Sequence, residues 1–159
     1  MPTLARMDIA LVTLTAVTTV ALLRDPIVGS GPGLTFTRDL MWWNRSGSFD
    51  RTERAAFIVD RGDGLLECLL WPGTQEHERA TFRGEMPPGT VAIIHTHPIH
   101  VPMPSKEDEE AAQRLGIAIY ALTPNSITRA SPSGGGSVFV RKGQWVDPPP
   151  RIHHCRSAS

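Results

Sequence analysis

The chain carries only two cysteines, Cys68 and Cys155, among 159 residues. Two are too few for a disulfide scaffold or for a zinc site built on thiolates. One disulfide between them is open, with two unpaired thiols the expected state. An excess of charge is also missing, since 16 Lys and Arg balance 16 Asp and Glu. A nucleic-acid-binding domain needs a cationic face to displace counterions, so nucleic acid is not an expected partner. No apolar run reaches the roughly 20 residues that span a bilayer as a helix, which excludes a polytopic membrane protein. Internal repeats are absent as well. What remains is ordinary globular material, 40% hydrophobic and 20% charged, enough for one compact domain with a buried core. Fourteen Gly and fourteen Pro predict many turns and few long helices.

Residues 9–23 are uncharged and rich in Val, Leu, Thr and Ala. A helix of that length covers roughly 22 Å, which suits the apolar stretch of a signal peptide or an anchor better than a full span. Export or membrane association through this segment is therefore expected, with a buried β-prone element of the domain as the alternative. Residues 1–30 are read as a separate apolar segment, and Gly29-Ser30-Gly31-Pro32-Gly33 as a linker. A domain over residues 34–145 follows, and then a Pro-rich tail over 146–159 that is expected to be loose.

Within the domain, residues 34–48 suggest a short helix. Ala55–Val59 and Leu65–Trp71 read as strands joined by the hairpin turn Arg61-Gly62-Asp63-Gly64. Residues 79–83 suggest a third strand. The apolar run Val91-Ala92-Ile93-Ile94 leads into His95-Thr96-His97-Pro98. Ser105-x-x-Asp108 has the form of a capping box, with Glu107 to Glu110 acidic as a helix start prefers, and Gly116 marks the stop. Ile117–Leu122 and Val138–Val140 complete the pattern, the latter extending toward Trp145. The expected fold class is α/β: a single small domain with a mixed sheet and flanking helices.

The chemistry concentrates in one place. His95 and His97 are two apart at a strand end, so both imidazoles point to one side of the sheet. Asp108 follows in the first helical turn, where its carboxylate can reach back to the strand end. Two neutral imidazoles and one carboxylate suit a catalytic zinc that keeps its fourth position for water. A loop stiffened by Pro98, Pro102 and Pro104 loses little freedom in gathering them. The competing reading is a pair of strand-end histidines beside an unrelated helix cap.

The order His95-x-His97, seven residues, Ser105, two residues, Asp108 resembles the JAMM (MPN-plus) metallopeptidase motif at every position. The resemblance implies a zinc-dependent hydrolase that cleaves peptide or isopeptide bonds in a protein or peptide substrate, ubiquitin-like conjugates among them. It also implies the JAMM/cytidine-deaminase-like fold, with Zn2+ on His95, His97 and Asp108. Ser105 is then expected to donate a hydrogen bond to the oxyanion, and an upstream Glu to act as general base. Glu53, Glu67, Glu76, Glu78 and Glu85 are the candidates. Glu53 stands just before a strand-like run and 42 residues ahead of His95, which matches the family's placement. The others read as surface residues.

His77 reads as a surface residue; His100, inside the ligand loop, reads as solvent-exposed with lining the site as the alternative, and His153-His154-Cys155 lacks a fourth ligand nearby. Trp42, Trp43, Trp71 and Trp145 read as core or rim aromatics rather than substrate platforms. A zinc deaminase would need a Pro-Cys-x-x-Cys ligand pair, which the sequence lacks. The alternative to an enzyme is a non-catalytic binding or scaffold module of the same fold.

Overall fold

A seven-stranded sheet whose central strands are buried almost throughout organises the molecule. The computed structural model describes residues 25–29, 31–45, 53–72, 80–97, 100–146 and 154–158. The apolar segment 9–23, with Glu76, His77, Glu78, His153 and the side chain of Trp43, lies outside them. Among the described residues, α1 (Pro32–Arg45) precedes the hairpin of β1 (Ala55–Asp60) and β2 (Leu66–Leu70). Then come β3 (Thr90–Thr96), α2 (Lys106–Leu115), β4 (Ala118–Thr123), β5 (Ser126–Ala130), β6 (Ser137–Lys142) and β7 (Cys155–Ser157). The strand order is β6-β5-β4-β3-β1-β2-β7. β3 and β4 run parallel, as do β2 and β7, and the remaining pairs are antiparallel. This is a small α/β domain with a mixed sheet.

Both sheet faces are covered, so the central strands read as continuous apolar runs. Ala56, Ile58, Ile94, Tyr120 and Leu122 pack against Phe36, Leu40 and Met41 of α1. Phe57, Val59, Ile93 and Ile119 face the other way and meet Ala112 of α2. The β3–α2–β4 crossover puts the last residues of β3 and the first turn of α2 at one end of the sheet. Ligands bind there in open α/β sheets, outside the carboxyl ends of strands.

Several expectations are corrected. The linker at Gly29–Gly33 is instead tightly packed: a Cβ on Gly33 would lie 1.4 Å from the Ile27 carbonyl oxygen. Asp25 anchors this entry by accepting hydrogen bonds from Tyr120 Oη at 2.9 Å and Arg129 Nη1 at 2.7 Å. Residues 80–83 are not a strand. A strand absent from the sequence reading, β5, pairs with β4, and its polar residues Ser126 and Thr128 are buried with hydrogen-bonded hydroxyls.

Another correction concerns the tail. The C-terminal end is not loose, because β7 adds to β2 with Cys155 opposite Cys68, and the two form a disulfide. Fully buried Asp39 of α1 holds the entry to β7, accepting from the backbone N–H of His154 at 2.8 Å and of Cys155 at 2.7 Å. The expected free thiols are therefore paired. The described fold extends beyond residues 34–145, taking in Val28 and Cys155 as core.

With its cysteines 87 positions apart in sequence, the disulfide restricts a long loop of the unfolded chain. Replacing both cysteines by alanine is expected to remove about 2–4 kcal/mol from the denaturation free energy. Unchanged denaturant midpoints for oxidised and reduced wild type would contradict the pairing.

Candidate metal centre

Strand parity and one helix cap assemble the site. His95 is the penultimate residue of β3 and shares its face with Ile93, above α2. His97 lies one residue past the strand, yet its N–H still bonds to the Leu122 carbonyl at 2.8 Å, so the β4 ladder fixes its backbone. The two Nε2 atoms are 2.8 Å apart. His97 Nδ1 lies 3.0 Å from the Val101 carbonyl, which accepts a hydrogen bond from that N–H and leaves Nε2 as the nitrogen with the lone pair. Thr128 Oγ1 donates to the Pro102 carbonyl at 2.5 Å and ties the intervening loop to β5.

Asp108 is the N3 residue of α2. Its Oδ2 accepts from the Ser105 N–H and Oγ at 2.8 Å each, and its own N–H donates to Ser105 Oγ at 3.1 Å. This reciprocal capping box aims Oδ2 at the histidines, 3.4 Å from His95 Nε2 and 3.7 Å from His97 Nε2. Donors around a tetrahedral zinc with bonds of about 2.1 Å stand about 3.4 Å apart; the two carboxylate–imidazole distances lie near this value, and the Nε2–Nε2 distance is shorter.

Glu53 arrives from the neighbouring strand. β1 is antiparallel to β3 with Ala55 opposite His95, so the residue two before Ala55 falls beside His97. Glu53 Oε1 lies 3.9 Å from His97 Nε2, and Oε2 accepts from the Ala80 N–H at 3.3 Å. Glu53, His95 and His97 offer ligand atoms within 4.8 Å of one another, and this group could hold a metal ion. Two carboxylates thus compete for the third protein position. Asp108 lies closer to the His97 nitrogen.

Burial disfavours a charged His95, but the hydrogen bond and charge of Asp108, with the charge of Glu53, outweigh it and raise its pKa. His97 is lowered, first by burial and then by the charge of His95. Asp108 is held far below the usual carboxylate range: burial opposes this, but His95 and the two Ser105 donors prevail.

Every sequence-predicted site residue gathers here: Glu53, His95, His97, Ser105 and Asp108 all line one cavity of about 750 Å3. His100 is exposed and lines it too. Glu67 and Glu85 stand apart from it; Glu67 pairs with Arg61 and Arg156. His154 contributes its backbone to Asp39 and belongs to no metal-ligating group among the described residues. The sequence reading missed the aromatic wall of the cavity, Phe57, Trp71 and Phe82. Its only local signal was the inward parity that Phe57 shares with Ala55. Comparison of the chain with protein-family models, curated proteins and solved structures finds no match.

The pKa directions set a pH window for the metal-free protein. Depressed Asp108 stabilises the fold above its unfolded pKa of about 4, a contribution lost as pH falls toward its native value. Raised His95 stabilises fully below about 6.5, a contribution lost as pH rises through its native value. Metal binding needs neutral imidazoles, so zinc acts in the opposite sense. The rise in Tm on adding zinc is expected to be larger at pH 8 than at pH 5.5; an equal rise would contradict the assignment.

Proposed function

We propose that the chain is a zinc-dependent hydrolase of the JAMM type, with that family's deaminase-like fold, cleaving a peptide or isopeptide bond in a protein or peptide substrate. The observation that carries this reading is the approach of three donors, His95, His97 and Asp108, to within 3.7 Å of one another beside a second carboxylate. When bound, zinc supplies Lewis acidity and lowers the pKa of water toward neutrality. His95 and His97 present Nε2, and Asp108 presents Oδ2.

Glu53 is the general base in this reading. Its carboxylate takes the proton of the attacking water and returns it to the leaving amine, whether an α-amine or a lysine ε-amine. Ala80 N–H steadies one of its oxygens and leaves the other facing the histidines. Ser105 positions Asp108, because its hydroxyl proton rests on Oδ2. Donation from Ser105 to the oxyanion, as the family resemblance implies, requires that proton to swing away as the transition state forms.

Two features bear on where the substrate is met. The disulfide favours an oxidising compartment, in keeping with residues 9–23 as a secretion signal or anchor. No helix among the described residues is long and apolar enough to cross a membrane. Action outside the cytoplasm favours a peptide or exported protein over a ubiquitin-like conjugate.

Separating ligand from base is the test. Glu53→Gln is expected to retain zinc and lower kcat by roughly 10²–10⁴-fold, whereas Asp108→Asn is expected to lose the metal. The reverse pattern would make Glu53 the ligand. Full zinc occupancy in the wild type with no turnover of peptide or isopeptide substrates would favour the non-catalytic binding module.

A further inference from the structure

The metal donors occupy only one end of the cavity. Phe57 follows Ala55 by two residues on β1, and Ala55 is opposite His95, so Phe57 lies on the same face about 7 Å further along the sheet. There it packs against Trp71 and Phe82, with ring centroids 5.2 and 4.8 Å away, and those two rings are 5.4 Å apart. Ile93 and Ile119 extend this apolar wall along the sheet, and Ala111 and Leu115 line the cavity from α2. The Trp71 indole N–H is buried without a partner among the described residues, and Trp71 lines the cavity.

Among the described residues the surface is not closed off as a core would be. Trp71 and Phe82 are half-buried, and Met86 and Leu115 are 38% and 39% exposed. Ala80 and Ala111 line the same space with methyl groups where larger side chains would fill it. An open apolar recess continuous with a cluster of titratable groups is the usual form of a small-ligand or side-chain site.

We propose that the Phe57–Trp71–Phe82 recess is the specificity pocket of the hydrolase, accepting a bulky apolar side chain from a residue that flanks the scissile bond. This deepens, and rests on, the metallohydrolase reading above. The recess begins one Phe-length from the histidines, so a Phe, Leu or Met next to the cleaved bond fills it while its carbonyl reaches the metal end. A glycine tail leaves it empty and forgoes that contact. The substrate class is therefore peptides or protein segments with a large apolar residue at the cleavage point.

Binding and turnover separate the two claims. The zinc-loaded full chain would be titrated with N-acetyl-phenylalaninamide and with N-acetyl-glycinamide, following the indole N–H resonances by NMR. The expected result is at least tenfold tighter binding of the phenylalanine probe, abolished in Phe82→Ala with zinc content and Tm retained. Should Phe82→Ala not fold, Ala111→Leu fills the recess from α2 and is expected to abolish binding equally. Equal binding of the two probes, or phenylalanine binding that survives in the folded variant, overturns the pocket. A matching Phe-over-Gly preference in kcat/KM supports both claims. Selective binding without cleavage of any peptide leaves the pocket standing and removes the hydrolase reading alone.

Discussion

The reciprocal hydrogen bonds between Ser105 and Asp108 hold this molecule's chemistry together. A capping box ordinarily satisfies the orphan N–H groups of a helix start, for about 1 kcal/mol. Here the same bonds fix the Asp108 carboxylate in space, with one oxygen receiving both Ser105 donors and lying within 3.7 Å of two imidazoles. The helix cannot start elsewhere without moving that carboxylate. Nor can Asp108 turn away without uncapping the helix. The bond from Thr128 of β5 to the Pro102 carbonyl ties the chain just ahead of the helix to the sheet.

That link works because the sheet decides which residues share a side. β3 presents Ile93 and His95 to one face and Ala92 and Ile94 to the other. The antiparallel neighbour β1 brings Glu53 to the level of His97, and the parallel neighbour β4 orders the His97 backbone. The face away from the site is filled by α1, by Trp145 and by the buried Cys68–Cys155 disulfide. One face is thus committed to stability and one end of the other to the cavity. Charge follows the same division. Burial opposes ionisation of Asp108, and the hydrogen bond and charge of His95, followed by the two Ser105 donors, outweigh it.

Much of this was legible in the sequence because it is local. The hairpin at Arg61–Gly64, the helix from its Ser105 cap to Gly116 and the strand ending in His95 each announce themselves within a few residues. The His-x-His spacing and the capping box therefore pointed to His95, His97 and Asp108 as neighbours, and the structure brings them together. Glu53 was reachable only through resemblance, since its place depends on the antiparallel register of β1 and β3. What failed was non-local. Ser126–Ala130 looks too polar for a buried strand, and only pairing with β4 and β6 makes it one. The tail looks loose because Asp39, which holds it, lies 116 residues away from Cys155. Nothing near Trp71 or Phe82 in sequence points to Phe57; the three meet only once the sheet has formed.

The central claim is that His95, His97 and a carboxylate form a zinc site. X-ray absorption at the zinc edge of the purified full chain tests it most directly. The account predicts one zinc per chain in a shell of two imidazole nitrogens and oxygen donors without sulfur, lost in His97→Ala. A folded chain that takes up no zinc when supplied with it, or zinc whose shell is unchanged in His97→Ala, would contradict it.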